Sequence, residues 1–110
     1  MSKVLVIEDE EFISKLISKV VKNKGYNIEI VDNFNQAFEL INSNIFDYVL
    51  IDYNLDKDKI DSFAKLVKSK NEKCTIILMS GLNEQEINAS VQYDKFIFKP
   101  DLIDILNKIL

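Results

Sequence analysis

The sequence has no histidine and only one cysteine, one proline and two glycines among its 110 residues. A lone cysteine, Cys74, forms no internal disulfide, which suits a reducing compartment. Because no histidine is available to activate a thiol, and because Cys74 begins an apolar run, we interpret it as a small core residue.

Long apolar runs and a basic surface are also missing. No run approaches the roughly 20 apolar residues that span a bilayer, and Met1 leads directly into a predicted strand instead of a signal peptide. The 14 Lys+Arg residues are outnumbered by 18 Asp+Glu, a net charge of −4, so no basic stripe exists to neutralise nucleic-acid phosphates. These absences argue against membrane insertion and direct nucleic-acid binding, and they predict a cytoplasmic protein.

The composition is that of a folded domain. Hydrophobic residues make up 47% of the chain and charged residues 29%, which is typical of globular proteins. There is no internal repeat, low-complexity tract or Pro/Gly/Ser-rich linker, so residues 1–110 are expected to form one domain.

Short apolar runs alternate with segments in which apolar residues recur every three or four positions. The runs predict five strands, at residues 4–7, 28–31, 48–51, 75–79 and 95–98. The periodic segments predict five helices, at residues 12–24, 34–41, 60–67, 84–92 and 102–109. The fourth is the weakest, because it offers only Ile87 and Val91 for burial.

Local signals define two helix ends. Gly25 is expected to end the first helix, whose buried face is predicted to comprise Phe12, Ile13, Leu16, Ile17, Val20 and Val21. Asp32 or Asn33 is expected to cap the second.

This alternation predicts an α/β fold with helices on both faces of a parallel sheet. The expected architecture is a doubly wound five-stranded sheet in the order 2-1-3-4-5, a flavodoxin-like three-layer sandwich. In such sheets ligands bind beyond the carboxyl ends of the strands, where the winding direction reverses. For this order, that point lies between strands 1 and 3.

Carboxylates follow both of these strands. Glu8, Asp9 and Glu10 come after strand 1, and Asp52 comes after strand 3. Carboxylates in a half-buried cleft repel one another unless a cation is present, and Mg²⁺ prefers oxygen ligands. The alternative, in which residues 8–10 only cap the first helix, leaves Asp52 unexplained.

Two further strand ends meet this edge of the sheet. Strand 4 ends in Ser80 and Gly81, and strand 5 ends in Lys99 and Pro100. Each pair alone is an ordinary loop start. Carboxylates, a hydroxyl and an ammonium group together are the parts of a phosphoryl-transfer site, in which a carboxylate can form an aspartyl-phosphate.

With these residues, the chain from about residue 3 to residue 110 resembles the receiver domain of two-component response regulators. The resemblance implies that Asp52 is the phosphoacceptor. It implies that Asp9 and Asp52 bind Mg²⁺ directly, that Glu8 assists through water, and that the backbone carbonyl of Asn54 is a further ligand.

The resemblance also assigns switch residues. Ser80 matches the switch hydroxyl, and Lys99 matches the phosphate-binding lysine. Phe96 falls where receivers keep a rotating aromatic ring, although a plain core aromatic is an equal alternative. A cis Lys99–Pro100 bond is implied as well.

A receiver domain would be a signalling domain and not an enzyme, although it assists its own phosphorylation and dephosphorylation. Its phosphoryl group would come from a sensor histidine kinase or a phosphotransfer protein. Phosphorylation would then switch the surface of helix 4, strand 5 and helix 5 for an unknown output protein or fused output domain.

One loop departs from the receiver pattern. Receivers usually carry Met-Pro shortly after the acceptor and Asp-Gly before the third helix, whereas residues 55–62 contain neither the proline nor the glycine. This departure keeps an alternative open, in which the chain is a degenerate receiver that binds a partner constitutively without phosphorylation.

Three unrelated sites fit the sequence less well. Residues 52–57 imitate the start of a calcium-binding EF-hand loop, but Lys57 and Phe63 stand where that loop needs Gly and Glu. A flavin site needs a Gly/Ser/Thr-rich loop after strand 1, but this chain has Glu8, Asp9 and Glu10 there. An aspartate-based phosphatase needs an Asp-x-Asp motif after strand 1, and this motif is absent.

Overall fold

The computed structural model describes residues 2–87 and 91–110, in which five strands alternate with four α-helices. The strands are β1 (Lys3–Ile7), β2 (Asn27–Val31), β3 (Tyr48–Asp52), β4 (Thr75–Ser80) and β5 (Lys95–Phe98). The helices are α1 (Glu11–Asn23), α2 (Phe34–Ser43), α3 (Lys57–Lys70) and α4 (Leu102–Ile109). Two 3₁₀ turns lie at Glu84–Glu86 and Lys99–Asp101. Among the described helices, none has the length and apolar character needed to cross a bilayer.

All five strands are parallel, in the order β2-β1-β3-β4-β5. The predicted topology is therefore confirmed. Ile7 of β1 pairs with Ile51 of β3, and Asp52 pairs with Met79 of β4. This register places the carboxyl ends of the three central strands side by side.

Alternate residues of the central strands point into two separate cores. On one face, Leu5 and Ile7 pack with the apolar sides of α2 and α3. On the other face, Val4 and Val6 pack with α1 and α4. Burial on both faces explains why these strands are continuous apolar runs. Cys74 is buried in the first core, as predicted, and burial raises the pKa of its thiol to about 12.

The two predicted helix boundaries are confirmed. Gly25 has a φ of 80° just beyond the end of α1, in the left-handed region that favours glycine. Of the two candidate caps for α2, it is Asn33 whose side-chain oxygen accepts a hydrogen bond from the Gln36 backbone N–H at 2.9 Å.

The predicted fourth helix at residues 84–92 is wrong over its described part; residues 88–90 lie outside the described residues. A single 3₁₀ turn covers Glu84–Glu86, closed by a capping box between Asn83 and Glu86. Ile87 leaves the turn with an extended ψ of 141°. Two apolar side chains give too narrow a stripe to hold a longer helix against the sheet.

Two more predictions need correction. Phe12 is 72% exposed, because it lies on the side of α1 that bears Lys15 and Lys19 and not on the side facing the sheet. The described residues contain no cis peptide bond, so the Lys99–Pro100 bond is trans. Pro100 lies at the start of a 3₁₀ turn, where its fixed φ and missing N–H are tolerated.

Candidate functional site

The carboxyl ends of β1 and β3 bring three carboxylates together. Glu8 and Asp9 follow β1 directly, and Asp52 is the last residue of β3. Each places a carboxylate oxygen within 4.8 Å of the other two. Glu8 and Asp52 are buried, whereas Asp9 is exposed, so this cluster opens to solvent on the Asp9 side.

Lys99 supplies the positive charge of the cluster. The 3₁₀ turn after β5 directs its side chain toward the centre of the sheet edge, and that side chain is only 13% exposed. Its Nζ lies 3.1 Å from Glu8 Oε1 and 3.3 Å from Asp52 Oδ1. A third carboxylate, Glu10 Oε1, lies 3.6 Å away.

Burial and charge shift the pKa values of this cluster. Burial, followed by the Asp52 charge, raises the pKa of Glu8 to about 7, against the opposing effects of the Glu10 N–H and Lys99. Burial lowers the pKa of Lys99, but its hydrogen bond to Glu8 and the charges of Asp52 and Glu8 outweigh burial, so the net shift is upward. Lys99 is therefore held as an ammonium ion.

Backbone donors orient the two buried carboxylates. The Asn54 N–H donates to Asp52 Oδ1 at 3.1 Å, and the Glu10 N–H donates to Glu8 Oε2 at 3.2 Å. Because Lys99 and Asn54 both contact Oδ1 of Asp52, these contacts restrict the orientation of the carboxylate.

Ser80 lies at the same edge of the sheet, one residue beyond the Asp52–Met79 pair. It is buried, and its Oγ accepts a hydrogen bond from the Leu82 backbone N–H at 3.0 Å. The hydroxyl is thus bonded to the loop that follows β4, which couples that loop to the sheet edge.

Phe96 lies on β5, beside Leu78 of β4, and is half-buried. Its ring is 6.2 Å from the Tyr93 ring, centroid to centroid. Tyr93 in turn donates from its hydroxyl to Glu84 Oε2 at 2.8 Å, so the two aromatic rings connect β5 to the turn after β4.

The structure therefore brings Glu8, Asp9, Asp52 and Lys99 into one cluster and places Ser80 nearby. Asn54 is exposed, and the contact that it makes with Asp52 uses its N–H. The sequence interpretation missed Glu10 as a partner of Lys99. The available signal was its place in the same strand-end loop as Glu8.

The donor atoms of this cluster fit a hard divalent cation. Glu8, Asp9 and Asp52 offer only oxygen ligands, which Mg²⁺ prefers. One ammonium group cannot balance these three carboxylates and Glu10, so the site keeps excess negative charge. A small cation would offset that charge.

Comparisons with known proteins agree with this geometry. The model of the response regulator receiver domain family matches residues 4–110. The transcriptional regulatory protein DltR of Streptococcus agalactiae serotype III is 28% identical over 101 residues, covering 89% of this chain and 45% of DltR. The chain therefore spans less than half the length of that relative.

Two solved structures show the same fold over nearly their whole length. The chemotaxis response regulator CheY4 of Vibrio cholerae has a TM-score of 0.81 at 21% identity, covering 100% of this chain and 99% of that one. The response regulator TrrA from Thermotoga maritima, in complex with Mg(2+)-BeF, has a TM-score of 0.78 at 23% identity, covering 100% of both.

Proposed function

This chain belongs to the response regulator receiver domain family, and on that premise we propose that Asp52 accepts a phosphoryl group from a phosphohistidine while Mg²⁺ is bound at the acidic cluster. Receiver domains are signalling domains and not classical enzymes, and response regulators interact with histidine kinases and output domains. The donor would be a sensor histidine kinase or a phosphotransfer protein, acting in the cytoplasm.

One observation supports the proposal above all others: Asp52 lies 3.3 Å from the Lys99 ammonium and within 4.8 Å of the Glu8 and Asp9 carboxylate oxygens. A buried carboxylate with a fixed orientation is a suitable nucleophile. Lys99 would neutralise an incoming phosphoryl oxygen, and the backbone N–H of Asn54 would keep Oδ1 in place.

The phosphoryl group would pass directly from the phosphohistidine nitrogen to Asp52. A carboxylate oxygen of Asp52 attacks phosphorus, an O–P bond forms, and the N–P bond of the phosphohistidine breaks. The imidazole nitrogen keeps the bonding electron pair and takes a proton from water. Bound Mg²⁺, held by Asp9, Asp52 and the Asn54 carbonyl with Glu8 assisting through water, would neutralise phosphoryl oxygens during this transfer.

Switching would begin at Ser80. A phosphoryl group adds about two negative charges and strong acceptor oxygens. Ser80 Oγ would donate to one of these oxygens and draw the loop at Gly81 and Leu82 toward Asp52. Phe96 would then turn into the vacated space and change the surface of β5, α4 and the segment after β4. That surface would bind an output protein or a fused output domain.

A titration with Mg²⁺ and beryllofluoride, a phosphoryl mimic, tests the site. We expect isothermal calorimetry to show beryllofluoride binding only when Mg²⁺ is present, and to show none for Asp52→Asn or Asp9→Asn. Asp56→Asn is the matched control, because Asp56 lies four residues away on the loop and pairs with Lys59. A wild-type chain that takes up no beryllofluoride would instead favour a degenerate receiver.

A further inference from the structure

Charge is divided very unevenly along the axis of the sheet. We define the carboxyl edge as the loops after the five strands and the first turns that follow: residues 8–14, 32–37, 52–60, 81–86 and 99–105. This edge contains twelve carboxylates and three lysines, a formal charge of −9. The rest of the chain contains six carboxylates and eleven lysines, a formal charge of +5.

The few lysines of the carboxyl edge do little to shield it. Lys99 is buried against Glu8 and Asp52, and Lys59 lies 3.9 Å from Asp56. Asp101 and Asp104, close to Lys99 in the chain, are both exposed. Any molecule that approaches Asp52 from solvent therefore meets a strongly negative field.

Exposed apolar side chains lie on the same edge. Phe12 is 72% exposed and Ile103 is 44% exposed. Phe12 is one helical turn before Leu16, and Leu16 lines a shallow hollow with Pro100 and Ile103 beside Lys99. This gives a macromolecular partner an apolar contact within the negative edge, whereas a small ion has no use for such a contact.

We propose that the phosphoryl donor of this chain is a protein whose surface around the phosphohistidine is rich in lysine and arginine. The inference rests on the proposed function and names the chemistry of its partner. Charge complementarity would speed encounter with a basic donor and would disfavour an acidic one. The group transferred, and the bonds made and broken, are those given above.

Synthetic donors of opposite charge test this directly. Two peptides, each with one histidine flanked by three lysines or by three glutamates on both sides, are phosphorylated on the histidine with phosphoramidate. The rate of Asp52 phosphorylation is measured at fixed Mg²⁺. We expect the lysine peptide to react at least about tenfold faster at low ionic strength, and the ratio to approach one near 0.5 M salt.

Paired charge variants localise the effect. Asp101→Asn with Asp104→Asn removes two charges from the carboxyl edge, and we expect it to lower the peptide preference about two- to threefold. Glu39→Gln with Glu72→Gln changes the net charge equally, but both residues lie outside the carboxyl edge. This control should keep the wild-type preference.

Phosphorylation by acetyl phosphate distinguishes a failure of the proposed function from a failure of the basic-donor proposal. If acetyl phosphate and Mg²⁺ do not phosphorylate the wild-type chain at Asp52, the proposed function itself fails. If they do, and the lysine peptide still reacts no faster than the glutamate peptide, the basic donor is overturned. Equal loss of preference in both double variants would also overturn it, because net charge and not the carboxyl edge would then be responsible.

Discussion

Lys99 holds the acidic cluster together at the scale of single residues. Its ammonium group lies within 3.6 Å of Glu8, Glu10 and Asp52. Glu8 and Asp52 are both buried, so their charges depend on this cation more than that of the exposed Glu10 does. Without the cation, Glu8, whose pKa is already raised to about 7, would take up a proton at neutral pH, and the Asp52 carboxylate would be left in a medium that solvates it poorly.

Lys99→Met is therefore expected to lower the free energy of unfolding at neutral pH by about 2–4 kcal/mol. Glu10→Gln removes the solvent-exposed partner, and it should cost less than about 1 kcal/mol. Urea unfolding in the presence of a chelator measures both. Added Mg²⁺ should restore part of the loss in the lysine variant, because it would supply the missing positive charge. Equal stability of the two variants would refute this role for Lys99.

Most residues of the cluster could be predicted because they follow directly from strand ends. Glu8, Asp52 and Lys99 each come directly after an apolar run, and Asp9 comes one residue later. Parallel strands bring such positions to one edge. The contact of Glu10 with Lys99 depends on side-chain conformations that no periodicity encodes. The exposure of Phe12 likewise depends on which side of α1 faces the sheet at its first turn.

At the scale of secondary-structure elements, Asp94 links three of them just before β5. Its carboxylate accepts hydrogen bonds from the Ile76 backbone N–H of β4 and from Lys68 Nζ of α3, both at 2.8 Å. Its own N–H donates to the Ile76 carbonyl at 2.8 Å. Asp94 therefore anchors the start of β5 to β4 and α3. This strand carries Phe96 and leads directly to Lys99.

Asp94→Ala should lower the free energy of unfolding at neutral pH by about 1–2 kcal/mol. The expected loss of stability is modest because the Asp94 side chain is 42% exposed. Glu72→Ala, which removes an exposed carboxylate from the loop before β4, is the control and should have little effect.

The effect of Asp94 should depend on pH. Burial raises the pKa of Asp94, but hydrogen bonds from Ile76 and Lys68 outweigh it and hold the pKa below its ordinary value of 3.8. The folded state thus favours the carboxylate, so the stabilisation is complete only well above the ordinary pKa of 3.8. It falls as the pH approaches that value and is lost as the pH passes through the lower, folded-state pKa. A difference between wild type and Asp94→Ala that did not shrink in acid would contradict this account.

Helices could be predicted from the spacing of apolar residues wherever the apolar face was wide. The helices α1 to α4 each bury at least two residues against the sheet, and all four were predicted. Residues 84–92 show the limit, because the capping box between Asn83 and Glu86 closes a short turn that a helical pattern of two apolar residues does not reveal. Asp94 was also missed, since its bonds to Ile76 and Lys68 join distant parts of the chain.

For the whole molecule, the strand order is the feature on which function depends. The order β2-β1-β3-β4-β5 gathers the ends of β1, β3 and β5 at one edge. Alternation of strands and helices, taken together with the right-handedness of crossovers, led to its prediction. The charge of −9 at the carboxyl edge could be recognised only once the strand order was known, because the net charge of the whole chain is only −4. Composition alone therefore does not reveal how charge is distributed over this chain.

The most direct measurement is the mass of the intact chain after incubation with acetyl phosphate and Mg²⁺. We predict that the wild-type chain and Asp56→Asn each gain one phosphoryl group, removable by hydroxylamine as an acyl phosphate is, and that Asp52→Asn gains none. Gain of the same hydroxylamine-labile mass by Asp52→Asn, or no gain by the wild-type chain, would contradict the assignment of Asp52 as the phosphoacceptor.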